Sequence, residues 1–271
     1  MSIDDDILKH YGSGVESDRL FTGVSQLERV RTQEIILRYL RKLPLKILDV
    51  GGAIGFYSFW LSDMGHEVHL IDPVPNHIHE ARNISKKSGE SLASITIGEA
   101  RDLKFEDSYF DVVLLLGPLY HLTEKKERIR ALSEARRCLR QGGLLFVAGI
   151  SRYASMLDGY FRNFVKDPEF VEIMNRDLKD GQHRNPTNAT HYFTTAYLHR
   201  PEDLGGEILE TGFELEALLP IDSFGWLIPD FDEKWQNAQF RELLLQSIRA
   251  CENESSLIGL SAHIMSVARK K

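Results

Sequence analysis

The chain has 271 residues, 42% of them apolar and 27% charged, with a formal net charge of −7. That composition suits a folded protein with room for one large α/β domain or a core with a small cap. An acidic balance with no dense basic cluster excludes the usual footprint for gripping a phosphate backbone, so no nucleic-acid partner is expected.

Residues 1 to 24 are mixed and glycine-punctuated, which predicts a partly irregular arm carrying Tyr11. The opening MSIDDDILKH has no apolar signal segment, and no apolar run approaches the ~18 residues of a membrane span. Cys138 and Cys251 stand in no metal-ligand spacing. A cytoplasmic chain with reduced thiols, no bound metal and no membrane partner is the expectation. Ser25 and Glu28 have the spacing of a capping box ahead of a helix running to about Leu43, where Pro44 stops it.

Strand and helix signals then alternate. Lys46–Val50 is an apolar strand with Asp49 set into it, and Gly51, Gly52 and Gly55 remove side chains where the backbone must turn sharply. A helix follows from Phe56 to Met64, then a strand from Glu67 to Ile71 and a helix from about Pro75 to Lys87. A short strand, Ser94–Ile97, ends in Gly98-Glu99-Ala100. Phe110–Leu116 is near-continuously apolar, as a strand buried on both faces should be. Gly117-Pro118 breaks it and leaves Leu119-Tyr120-His121 in a loop. Thr123 is placed to cap the next helix, whose late arginines, Arg136, Arg137 and Arg140, complement the helix dipole. A fifth strand spans Leu144–Ile150.

After Ser151 the rhythm changes. Two amphipathic helical stretches, Ala154–Val165 and Pro168–Lys179, precede a polar loop, and no strand signal is read between residues 152 and 200. A helix from Pro201, a strand Phe213–Leu219, one helix from Phe231 to Cys251 and a last strand Leu260–Val267 complete the pattern. The expected division is an N-terminal arm and helix over residues 1–44, an α/β core over 45–151 and 200–271, and a helical cap over 152–199. The expected fold is a doubly wound, seven-stranded, mostly parallel sheet with its last strand antiparallel.

A strand, glycine turn and helix in this order form a nucleoside-sized site. A dinucleotide fingerprint needs G-x-G-x-x-G. Counting from Gly51 the chain offers Ala53 and Phe56, and from Gly52 it offers Ile54 and Tyr57, so neither frame fits. Asp49, Gly51, Ala53 and Gly55 instead spell D-x-G-x-(G/A)-x-G, which resembles motif I of the class I S-adenosylmethionine-dependent methyltransferases. Gly98-Glu99-Ala100-Arg101-Asp102-Leu103 resembles the family's G-D-A-x-x-L segment, with Glu99 in place of the usual Asp. Phe110–Val113 followed by Leu116–Leu122 resembles its fourth motif, and Ala135–Gly143 the stretch before strand five.

The resemblance covers about residues 28 to 150 and implies S-adenosylmethionine as cofactor and S-adenosylhomocysteine as product. It implies a cofactor site built from Asp49, Gly51, Gly52, Ala53, Gly55, Tyr57, Asp72, Pro73, Glu99, Ala100, Arg101, Leu116 and Gly117, with Tyr11 as a lid. Asp72 has two readings, an acceptor for ribose hydroxyls and a cap for the helix before Pro75; one carboxylate can serve both. Tyr120 and His121 fall at the methyl-transfer centre. His121 is placed either as a general base or as a packing residue beside the next helix, and Tyr120 to orient the acceptor or face the sulfonium. Arg152, His191 and Tyr192 are the further substrate-pocket candidates. Arg29 and Arg31 have two readings, binders of a carboxylate and, the preferred one, surface residues of the helix. The expected activity is methyl transfer to a small molecule by a monomer or homodimer; the alternatives are a protein or RNA methyltransferase and a non-catalytic cofactor-binding regulator. Strand four ends without the N-P-P-Y tetrapeptide that grips planar amino groups in many amino-methylating relatives.

Overall fold

A computed structural model describes residues 19–40, 44–89, 92–187 and 189–271. Tyr11 lies outside them. The first helix, α1 (Ser25–Tyr39), is followed by β1 (Lys46–Val50), α2 (Phe56–Asp63), β2 (Glu67–Asp72), α3 (Pro75–Ser88), β3 (Ser94–Ile97) and β4 (Phe110–Leu115). Next come a helical turn α4 (Pro118–His121), α5 (Lys125–Cys138) and the long strand β5 (Leu139–Ser151). The segment after β5 holds α6 (Ala154–Phe161), α7 (Pro168–Asp180) and the short strands β6 (Gln182–His183) and β7 (Ala196–His199). The chain closes with α8 (Pro201–Glu210), β8 (Phe213–Pro220), α9 (Phe231–Gln236), α10 (Ala238–Cys251), α11 (Ser255–Ile258) and β9 (His263–Lys270).

The sheet runs β3-β2-β1-β4-β5 with every neighbour parallel. It continues through β9, antiparallel to β5, to β8, antiparallel to β9. This is the doubly wound, mostly parallel sheet that the sequence predicts, with nine strands among the described residues in place of the expected seven. The order of the strands along the sheet reverses between β1 and β4, which opens a crevice at their carboxyl ends. Alternating side chains split the core into two layers. Leu48 and Val50 pack with α5 and α8 on one face, while Ile47 packs with α1, α2 and α3 on the other.

Several local expectations are corrected by tertiary contacts. Val24, not Ser25, is the N-cap of α1, and Glu28 turns away from the helix end to bind Arg19 at 2.6 and 3.1 Å. Glu124, not Thr123, is the N-cap of α5. The helix expected over 231–251 breaks at Asn237, whose side chain caps α10 through the Phe240 N–H. Leu119–His121 is helical rather than a loop. Arg31 is fully buried, bound to Glu252 at 2.5 Å and Glu34 at 2.9 Å.

The region read as free of strands contains two. β4 stops at Leu115, opposite Val147, and β7 pairs in parallel with β5 at Ile150 and Ser151. Since β9 occupies the other edge of β5, β7 fills the edge that β4 vacates. That places the segment before β7 directly over the end of β4, where α4 lies. Cys138 and Cys251 are free thiols, and burial pushes Cys138 up to about 11. No helix among the described residues is long and apolar enough to cross a membrane.

Candidate active site

The crevice opens into a cavity of about 1210 Å³. Its floor is the turn after β1. Gly51 has φ +69° and Ala53 has φ +50°, so the chain passes twice through the left-handed region within three residues. A side chain at Gly51 would meet the Pro118 ring, and one at Gly52 would overlap the Asp49 carboxylate and Leu70. The turn is therefore pressed between β2 and α4, with its backbone facing the cavity. Gly55, φ +93°, supports the turn from behind, packed against Leu70 and Phe59, and does not line the cavity.

Two carboxylates fix this floor. Asp49 is buried and accepts the Ser58 hydroxyl at 2.7 Å. Burial pushes its carboxyl up to about 6, the Ser58 bond opposing and the Asp72 charge adding to the shift. Asp72, also buried, accepts the Ala53 N–H at 2.9 Å through Oδ2, and through Oδ1 the Val74 N–H at 2.8 Å and His77 Nδ1 at 3.0 Å. It thus ties the end of β2 to the glycine turn rather than capping α3, whose N-cap is Val74. The two donors on Oδ1 fill that oxygen, and one lone pair remains on Oδ2 at the cavity wall.

Pro73, Glu99, Ala100, Arg101, Leu116 and Gly117 also line the cavity, as does Tyr57. Glu99 is held by Arg101 at 2.6 Å, and Arg101 by Glu127 at 3.0 Å, so Arg101 anchors an acidic group instead of standing free. Arg29, read from the sequence as a surface residue, lines the cavity as well. Its guanidinium lies 4.9 Å from the Phe21 ring centre, and its Nε is buried without a hydrogen-bond partner among the described residues.

Tyr120 and His121 project from α4 into the same cavity. His121 Nδ1 lies 3.2 Å from the Thr195 carbonyl. A carbonyl accepts only, so Nδ1 donates and the lone pair of the neutral ring sits on Nε2. Phe193 stacks against the ring at 6.0 Å. Thr195 and Phe193 belong to the segment that β7 brings over β4.

His191 and Tyr192 reach the cavity from the cap side. The Tyr192 hydroxyl donates to Asp167 at 2.6 Å, and that bond pushes it up to about 12. Beside them, His183 donates from Nε2 to the Tyr192 carbonyl and stands 2.8 Å from Asp177 through Nδ1. Arg152 is a correction. It is buried beneath β7, donating to the Leu198 carbonyl at 2.7 Å and to the Tyr197 hydroxyl at 3.2 Å, and does not line the cavity.

The sequence reading missed Glu28, Asp222, Trp226 and His263, which form another wall. No site motif marks them; Asp222 and His263 meet because β8 and β9 pair beside β5, and Glu28 faces them from α1. Among the described residues no group of three or more His, Cys, Asp or Glu side chains is arranged to hold a metal ion.

Residues 48–147 match the protein family described as Methyltransferase domain. A ubiquinone/menaquinone biosynthesis C-methyltransferase of Neisseria meningitidis is 29% identical over 143 residues, 51% of this chain and 57% of the relative. A ubiquinone biosynthesis O-methyltransferase of Azorhizobium caulinodans is 28% identical over 182 residues, 67% of this chain and 64% of the relative. The chain therefore spans less than two thirds of the length of these curated relatives. Among solved structures, an S-adenosylmethionine-dependent methyltransferase of Methanosarcina mazei superposes with a TM-score of 0.59 at 20% identity, covering 87% of this chain and 96% of that one. A Burkholderia thailandensis 1,6-didemethyltoxoflavin N1-methyltransferase, solved with its substrate and S-adenosylhomocysteine, superposes at 0.57 with 13% identity, covering 98% and 86%. At these identities the structures share the fold.

Proposed function

From a chain that carries a class I S-adenosylmethionine-dependent methyltransferase domain, we propose that it methylates a small hydroxylated molecule enclosed by the segment 152–199. The observation that carries this reading is the continuity of one cavity, whose walls include both the Gly51–Ile54 turn and the cap residues Phe170, His183 and Tyr192. Donor and acceptor then share a single enclosed space. The relatives' names supply the acceptor class: one acts at carbon and one at oxygen, both in quinone biosynthesis.

The floor fits the cofactor. An uncharged nucleoside needs close backbone approach; Gly51 and Gly52 let the turn pack tightly against Pro118, Asp49 and Leu70 while it lines the cavity. Its ribose needs an acceptor with a spare lone pair, which Asp72 supplies. A positive sulfonium and its amino-acid tail suit a wall of aromatic rings with an arginine at the edge, as Tyr57, Tyr120 and Arg29 provide.

When bound, S-adenosylmethionine supplies a methyl group on a positive sulfur, so alignment and exclusion of water account for much of the acceleration. The chain's own task is to place the acceptor. His121, oriented by the Thr195 carbonyl and stacked on Phe193, lines the cavity, and Tyr120 stands beside it with ring centres 4.7 Å apart. Together they position the acceptor across from the turn.

A screen of hydroxylated aromatic acceptors, read out as S-adenosylhomocysteine release, tests the reading. Release dependent on one acceptor class supports it; release from protein or RNA substrates alone overturns it. With that acceptor, His121→Ala is expected to lower kcat/KM about tenfold, the worth of one lost hydrogen bond of about 1.4 kcal/mol. Its cofactor binding should be unaltered. An undiminished kcat/KM would remove His121 from the acceptor site.

A further inference from the structure

The cavity has a second polar wall, assembled from the end of the chain. β9 begins at His263, which pairs with Ile150 at the carboxyl end of β5. The Asp222 carboxylate, in the turn after β8, accepts the His263 backbone N–H at 2.9 Å and stands 3.0 Å from the ring Nδ1. Asp222 is 2% exposed, so its charge is kept from water and directed at that ring.

The pair is braced. Ser261, fully buried, accepts the N–H groups of Asp222 and Ser223 at 2.9 Å each and donates to the His263 carbonyl at 2.6 Å. Ser223 holds φ +51°, a left-handed conformation that a residue with a side chain adopts at a cost. Hydroxyl clamp and strained neighbour together over-determine the position of one carboxylate. With Nδ1 donating to Asp222, the lone pair of neutral His263 lies on Nε2, for which the described residues supply no hydrogen-bond partner. His263 lines the cavity. A carboxylate-backed imidazole with its second nitrogen open to a reaction space is the arrangement of a general base.

We propose that His263, oriented by Asp222, takes the proton that an acceptor hydroxyl releases as its oxygen receives the methyl group. This rests on the methyl-transfer reading above. The oxygen–carbon bond forms as the carbon–sulfur bond breaks, the bonding pair returns to sulfur to leave a neutral thioether, and the hydroxyl proton moves to Nε2. The donor is the sulfonium cofactor, and no oxidant or reductant is needed. Other charged groups facing the ring are Glu28 from α1 and Arg19 before it, paired with each other. Burial opposes the imidazolium, but the charges of Glu28 and Asp222 outweigh it and raise His263 above its ordinary 6.5, while Arg19 opposes them. The base is therefore neutral, and active, only above that raised value.

The test uses the full chain and has two arms. Nitrogen-15 NMR of the labelled histidines should show His263 neutral as the Nδ1–H tautomer with a raised midpoint, and Asp222→Asn should move that midpoint down. A midpoint indifferent to Asp222→Asn, or an Nε2–H tautomer, would overturn the proposal without any acceptor. In turnover with the screened acceptor, His263→Gln should lose about 100-fold in kcat, the lower range for a general base, and the acid limb of its pH profile. Asp222→Asn should shift that limb to lower pH. A retained limb in His263→Gln overturns the proposal. Equilibrium dialysis of S-adenosylmethionine with each variant separates the causes: binding equal to wild type shows an intact fold and site. No binding by the wild type would instead defeat the methyl-transfer reading.

Discussion

Replacing Asp72 by Ala is expected to weaken S-adenosylmethionine binding about 100-fold while leaving the fold intact. The carboxylate does two things at once. It receives the Ala53 N–H at 2.9 Å, which holds the strained turn, and it retains one lone pair on Oδ2 at the cavity wall for a ribose hydroxyl. Hydrogen bonds to an ionised acceptor are worth about 1.5–3 kcal/mol each, and every 1.4 kcal/mol is tenfold in affinity. The loss of the ribose contact together with a loosened turn gives the expected two orders of magnitude. Isothermal titration of the variant checks it, with unfolding followed alongside. Asp72→Asn should fall between, since an amide oxygen can still accept the Ala53 N–H. Equal affinity in the wild type and Asp72→Ala would show that the ribose does not meet this carboxylate.

The largest expected loss of stability is at Arg128. This residue is 2% exposed, donates to both oxygens of Glu207 at 2.6–3.0 Å, and satisfies the Leu122 and Thr123 carbonyls at 2.9 Å. Its guanidinium also covers the Tyr197 ring at 3.7 Å. It joins α5, α8, β7 and the loop that carries α4, and so fixes the elements around His121. Arg128→Met leaves a buried carboxylate without its cation, which costs about 3–5 kcal/mol. At roughly 2–4 °C per kcal/mol for a chain near this size, Tm should fall by about 10 °C. The double variant Arg128→Met/Glu207→Met should recover most of that, because no charge is left unpaired. A Tm within about 2 °C of wild type in the single variant would contradict the buried-pair account.

The same pair sets a pH dependence. Burial raises the Glu207 carboxyl, but hydrogen bonds from His199 and Arg128 outweigh it and hold it at about 2, below its ordinary 4.5. A depressed carboxylate contributes stability above 4.5 that is lost as pH falls towards 2. Acid unfolding of the wild type should therefore include a component in that window that is absent from the double variant.

How much was legible depends on where each residue finds its partners. β1 to β4 are legible almost to the residue because each is a short strand segment closed by Gly or Asp; only β1 and β4 are also buried nearly throughout, while β3 lies at the exposed edge. β7 was missed because Ala196-Tyr197-Leu198-His199 has four residues and no run; its strand character comes from the β5 edge that β4 leaves empty. Ser25 and Thr123 have good capping chemistry, yet Glu28 is claimed by Arg19, a partner outside the helix. Arg31 read as exposed because an arginine ordinarily is, and its burial depends on Glu252, 221 positions away.

The site divides along the same line. The glycine turn and the Glu99 segment follow their strands directly and Asp72 ends its own, so the resemblance to the methyltransferase motifs marks them in the sequence. Arg152 is a polar residue beside the cap in sequence, but its side chain runs under β7 to the Leu198 carbonyl. Asp222 and His263 are 41 positions apart and carry no motif. Only the pairing of β8 with β9 makes them neighbours.

Equilibrium dialysis of the intact chain against labelled S-adenosylmethionine tests the central claim most directly. The structure predicts saturable binding of one molecule per chain, competed by S-adenosylhomocysteine and indifferent to a nicotinamide dinucleotide. Absence of binding by folded protein, or displacement by the dinucleotide, would contradict it.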